Sequence, residues 1–208
     1  MSGINSEPAF GGIVEDERAF QIEAKLKKIA RDVNYTFHNG TYHKAAASNE
    51  ADKTRGMIEA ITNGGTVVDA AGATLTKAMV DNMFAGMYDS GAMFENVVLF
   101  AGAHVKVQLS ELYGFAPQDR NVGGVAIKQL ETDFGNVGVV LDAAMPAGVL
   151  AAYDIAHVAP VFQEVPDKGI LFYEELAKTG ASERGQLFGL IGLSYGASWL
   201  HGLVKNIG

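Results

Sequence analysis

The 208-residue sequence has no cysteine, only 5 prolines and a single tryptophan. Without cysteine there is no disulfide framework, no thiolate zinc site, no iron–sulfur ligation and no cysteine nucleophile. Positive charge is in deficit. Sixteen Lys and Arg face 24 Asp and Glu, a net charge of −8, and the sequence lacks the basic stripe of a nucleic-acid binder. No run of about 18 apolar residues occurs, so no membrane-spanning helix is expected. Met1–Phe10 has neither a basic stretch nor an apolar core and does not read as a secretory signal. The sequons at Asn34 and Asn39 are accordingly read as chance.

What the sequence does hold is a globular balance of 48% hydrophobic and 19% charged residues, with 25 glycines. The glycines have no period of three, which excludes collagen, so they point to turns, bulges and close backbone approaches. The length suits one core domain with a lobe.

Residues 1–16 are aperiodic and read as an irregular arm. From Asp16 the pattern changes. Ile22, Leu26, Ile29, Val33 and Phe37 repeat at helical spacing, and Lys25, Lys27, Lys28, Arg31 and Asp32 fill the other faces. Acidic residues at the start suit the helix dipole, and Asn39-Gly40 supplies the stop. The predicted helix, Glu17–His38, would be roughly 30 Å long and implies an elongated subunit. A loop over 41–52 and a short helix over 53–62 follow. Val67-Val68 leads to a second amphipathic helix, capped by Thr74 or Thr76. Its stripe of Leu75, Met79, Val80, Met83, Phe84 and Met87 reads as core rather than as an adaptable binding face. A buried strand at 96–100 and a helix at 103–113 complete an α/β unit. Strands are predicted over 125–132, 137–142, 149–155, 158–165, 170–177 and 186–195, with 199–207 a less regular continuation of the last. Helix in the first half and strand in the second give an α+β layout, not a doubly wound sheet.

Catalytic and metal patterns in the sequence are weak. Gly192-Leu193-Ser194-Tyr195-Gly196 matches the nucleophile-elbow pattern, so a small serine hydrolase centred on Ser194 is one alternative. No acid follows it, however, and its only downstream histidine, His201, lies seven residues on. His38 and His43 flank a turn-like segment and could chelate, but solvated loop histidines are commoner. His104 and His157, in apolar sequence surroundings, read as structural. Glu174 and Glu175, if on a strand, point to opposite faces and cannot converge. Neither a Walker loop nor a dinucleotide fingerprint is present. The sequence therefore assigns no catalytic, cofactor-binding or metal residue, and no enzyme activity.

Three segments carry a resemblance. Ala-Arg-Asp-Val-x-Tyr-x-Phe-x-Asn-Gly spans Ala30–Gly40 and is followed by Arg55-Gly56-Met57. Thr-Asp-Phe-Gly-x-Val-x-Val-Val spans Thr132–Val140 and leads to Asp142 and Met145-Pro146. Glu-Leu-Ala-Lys-Thr-Gly spans Glu175–Gly180. In this order, over about residues 17–207, the sequence resembles the major capsid proteins of tailed bacteriophages, whose Hong Kong 97-like fold is shared by encapsulins.

The resemblance implies a self-assembling shell subunit of the virion, made in the host bacterial cytoplasm and built into hexamers and pentamers around DNA without sequence-specific contact. Scaffold, portal or decoration proteins would be further partners, and no membrane is involved. Residues 1–16 would be an arm or the remnant of an extended loop. Residues 17–65 and 157–208 would form the peripheral domain, with 17–38 its spine helix, and 66–156 the axial domain. An encapsulin-type compartment is the closer alternative. Against that family the chain is short ahead of the helix, which implies a truncated or minimal subunit with a reduced clasp.

Overall fold

The computed structural model describes residues 17–47, 49–113, 119–122, 125–177 and 184–208. The expected arm, residues 1–16, lies outside them. Helix α1 runs Glu17–Asn39, one residue beyond the sequence expectation, and at about 1.5 Å per residue is roughly 34 Å long. Its end is set by Asn39, whose amide donates to the Tyr35 carbonyl and to the Ala144 carbonyl across the fold. Helix α2, Met57–Thr62, is shorter than expected. Strand β1 is Thr66–Asp69 and helix α3 is Lys77–Asp89. The Thr76 side chain caps α3 by accepting from the Met79 amide.

Strand β2, Val97–Ala101, and helix α4, Ala103–Tyr113, follow. Next come β3 (Asp119–Val122), β4 (Val125–Thr132), β5 (Gly135–Leu141) and β6 (Leu150–Asp154). Strands β7 (Ala159–Gln163), β8 (Leu171–Leu176) and β9 (Arg184–Ser194) form the late β segment. A 3-10 turn at Ser198–Leu200 precedes β10, Gly202–Lys205.

The strands build two sheets. The larger has the order β1-β10-β6-β2-β5-β4-β3, and the smaller β7-β9-β8. In the larger sheet β1–β10 and β2–β5 are parallel, while β6 runs antiparallel to both neighbours. Strand β6 is buried along its whole length. Its short side chains, Ala151 and Ala152, let flanking strands and helices close over it. The α3 stripe is core: Val80, Met83, Phe84 and Met87 are buried. Phe84 meets Phe94 edge-on at 5.5 Å, and Phe94 packs on Phe134 at 5.4 Å. Helix α3 crosses β10 at Gly202, where a Cβ would come within 2.6 Å of the Met87 sulfur.

Two expectations change. The last segment, 199–207, is not a continuation of β9. It leaves the small sheet and inserts as β10 between β1 and β6, so residues 157–208 are divided between the two sheets. Local pattern could not place it, because Thr66 pairs with Gly202. The 132–137 connection is also tighter than read. Strand β5 already starts at Gly135, whose positive φ of 126° lets the chain turn through Asp133-Phe134.

Candidate functional site: a helix clamp and two exposed apolar surfaces

The site begins with residues four apart on α1. Asn34 and His38 share one side of the helix and both reach Asp142, just after β5. The Asn34 amide donates to both carboxylate oxygens, at 3.0 and 3.1 Å, and His38 Nε2 lies 3.2 Å from Oδ2. The Ala144 amide donates to Oδ1 at 2.8 Å. A carboxylate can only accept, so Nε2 of His38 carries the proton and Nδ1 accepts from the Tyr153 hydroxyl at 3.0 Å. The imidazole is buried and packs on Phe100 and Tyr153, with ring centroids 5.5 and 5.7 Å away. Met57, Met145, Ala151 and Leu203 close the apolar cluster around Tyr153.

This clamp ties the end of α1 to the large sheet. Two of the three sequence signatures meet in it, 30–40 through Asn34 and His38, and the 132–146 segment through Asp142 and Met145. Burial holds His38 below the ordinary imidazole range, and the attraction of Asp142 only partly offsets it. Burial pulls Asp142 upward. The amides of Ala144 and Asn34, together with His38, outweigh that pull and leave the carboxyl below its ordinary value. Burial, then the nearby Asp142 charge, pushes the Tyr153 phenol up.

A second polar cluster sits where the chain passes between the sheets. His201 is fully buried. Its Nδ1 accepts from the Asp154 amide at 3.1 Å, and its Nε2 donates to the Tyr195 carbonyl at 2.7 Å. Asp154 in turn holds His157 at 2.9 Å. Both crossing segments, 154–158 and 195–201, are thereby pinned to each other.

The sequence candidates fall as follows. Ser194 ends β9 opposite Ala159. His201 has both ring nitrogens engaged by main-chain groups, so it offers no free base. His38 and His43 do not converge: His38 is spent in the clamp, and His43 contacts Glu50 at 3.3 Å. His104 and His157 are exposed rather than apolar-buried, because His104 lies on the first turn of α4 and His157 on a crossover. Glu174 and Glu175 sit opposite Gln186 and Gly185 on β8, and so face apart. No group of three or more His, Asp or Glu placed to hold a metal occurs among the described residues. No described helix is long and apolar enough to cross a membrane.

Two apolar surfaces are left partly exposed among the described residues. Along α1, Ile29, Val33 and Phe37 face Leu171, Leu187 and Ile191 across a groove of about 310 Å³. The same stripe continues to Leu26, which is exposed, as is Phe20 nearby. On the small sheet, Val161, Phe162, Leu171, Phe188 and Leu190 are exposed. Helical spacing shows the stripe but not that Leu26 on it is exposed.

The family comparison decides what this arrangement serves, because residues 11–208 match the model of the SU10 major capsid protein. The chain belongs to that family. It is a structural subunit of a phage head shell, a component of the virion that assembles with copies of itself, and not an enzyme. Among solved structures, the chain is similar to the capsid of cyanophage A-1(L), with TM-score 0.70 and 13% identity over 98% of this chain and 73% of that one. It is similar to the SrpI encapsulin of Synechococcus elongatus PCC 7942, with TM-score 0.65 and 12% identity over 95% and 68%. It is also similar to a chain of the satellite phage P4 procapsid, with TM-score 0.55 and 11% identity over 94% and 65%. At these identities the likeness is one of fold, the Hong Kong 97-like fold of phage capsids and encapsulins. No curated protein matches the sequence.

Proposed function

We propose that this family member builds its shell from five- and six-membered rings, using two lobes joined at the clamp. The axial lobe comprises residues 66–156 with the returning strand 202–205. The peripheral lobe comprises 17–65 with 157–195, and α1 is its spine. The observation that carries this division is the separation into two sheets, joined by the Asn34–His38–Asp142 grip and the His201–Asp154 cluster. The shell encloses DNA without sequence-specific contact. A chain with net charge −8 does not hold phosphate tightly, and a densely packed genome must remain free to slide. Scaffold, portal or decoration proteins complete the set of partners, and assembly takes place in the host bacterial cytoplasm.

The test is the content of nuclease-treated particles released from infected cells. Protected DNA, together with five- and six-fold class averages in the microscope, is expected. A protein cargo without DNA would instead point to an encapsulin-type compartment.

A further inference from the structure

The small sheet has two faces, and among the described residues only one has a partner. Leu187, Gly189 and Ile191 of β9, with Leu171 of β8, face α1 across the groove. Side chains alternate along a strand, so Phe188 and Leu190 point away from α1. Phe188 pairs with Phe172, and Leu190 with Gln163. Phe172 and Phe188 touch through their rings at 5.6 Å. Val161, two residues before Gln163, continues the patch onto β7, and Ile170, two residues before Phe172, extends it beside β8. Val161 is 53% exposed, Leu190 and Ile170 44%, and Phe188 42%.

The rim is polar and internally satisfied. Lys168 lies 4.9 Å over the Phe172 ring and 2.9 Å from Glu174, and Gln186 donates to Glu174 at 3.0 Å. Gln163 closes the side toward β7. An apolar centre without charge, inside a rim whose charges already pair, is the layout of a protein contact.

We propose that the face of the small sheet turned away from α1 is a subunit–subunit contact, covered in the shell by a second copy of this chain. The inference rests on the shell-building role and names the surface that role uses. The area supports the choice of occupant. Four half-exposed large side chains and Phe172 amount to roughly 350 Å² of apolar surface, near the size of a functional patch on a monomer. That is somewhat under half of the ~800 Å² that a stable interface takes from each partner. Self-assembly puts many copies of the chain within reach of this face.

The absence of cysteine supplies the test. Leu190→Cys introduces a single thiol at the centre of the patch, and Lys25→Cys on exposed α1 serves as a control. Maleimide labelling is compared between particles and the same particles dissociated into subunits. At least tenfold slower labelling of Leu190→Cys in particles is expected. If Leu190→Cys fails to form particles while its dissociated chain keeps the wild-type circular dichroism, that also supports the contact. Equal labelling in both states would overturn the proposal and leave the shell role intact. Protection that appears only when another virion protein is added would overturn it too, by assigning the face to that protein. If the wild-type full chain forms no particle in infected cells, the shell reading itself fails.

Discussion

Replacing Asp142 with alanine removes the acceptor that three groups share. His38 Nε2–H is buried and has no other partner among the described residues, so losing it costs about 1–3 kcal/mol. The Ala144 amide is partly buried and Asn34 can turn to water, which adds about 0.5–1.5 kcal/mol together. Relief of the carboxylate's own burial offsets part of this. The net expectation for Asp142→Ala is a loss of about 2–3 kcal/mol in urea unfolding of dissociated subunits. Asp142→Asn keeps one carbonyl oxygen to accept from His38 or Ala144 and should lose about half as much. The damage should also be local. Amide hydrogen exchange should accelerate along the second half of α1, while β2 and β6 stay protected. A loss under about 0.5 kcal/mol, with α1 exchange unchanged, would refute the claim that this carboxylate holds the helix to the large sheet.

Acidification acts on the same junctions. Burial holds His38 and His201 below the ordinary imidazole value of 6.5, so the fold prefers both neutral. Their contribution is complete above that value and is lost as pH falls below it. Asp142 is held below the ordinary carboxyl value of 3.8, so its contribution is complete above that value and is lost as pH falls from there through its own lowered value. The melting temperature should therefore drop between pH 7.5 and 5.5, and less so in His38→Gln. Equal drops would exclude His38 as the cause. Phe84→Ala, which empties the middle of the Phe84–Phe94–Phe134 cluster, should cost about 3–5 kcal/mol by chemical denaturation. Gly202→Val drives side-chain atoms into Met83 and Met87 and should cost about 1–3 kcal/mol. Ser194→Ala should leave particle yield unchanged, and a fluorophosphonate probe should not label the native chain.

How much of this was legible beforehand depended on the range of the interaction. Helix α1 announced itself through the 22-26-29-33-37 stripe, and α3 through its methionines, because helical spacing is local. The strand runs also showed, including the 132–140 hairpin, where Gly135 marks the turn. Strand β3 did not, and the sense of β10 was misread: a strand of four residues takes its place from partners elsewhere in the chain, here β1 and β6. The clamp was half visible. Asn34 and His38 stand four apart, and Asp142 stands in the second signature, yet nothing in sequence says that they touch. His38 instead suggested a loop ligand, because it stands one residue before the Asn-Gly stop. The second polar cluster was hidden for a related reason. His201 owes its burial to a crossover between sheets, which no short window reveals.

The central claim is that this chain is a shell-building unit. It is tested most directly by sedimentation velocity on particles purified from infected cells, read alongside electron microscopy of the same sample. A fast boundary of closed shells in which this chain is the predominant protein is the predicted result. If the chain instead sediments as a monomer at high concentration, and shells in the same lysate lack it, the account is contradicted.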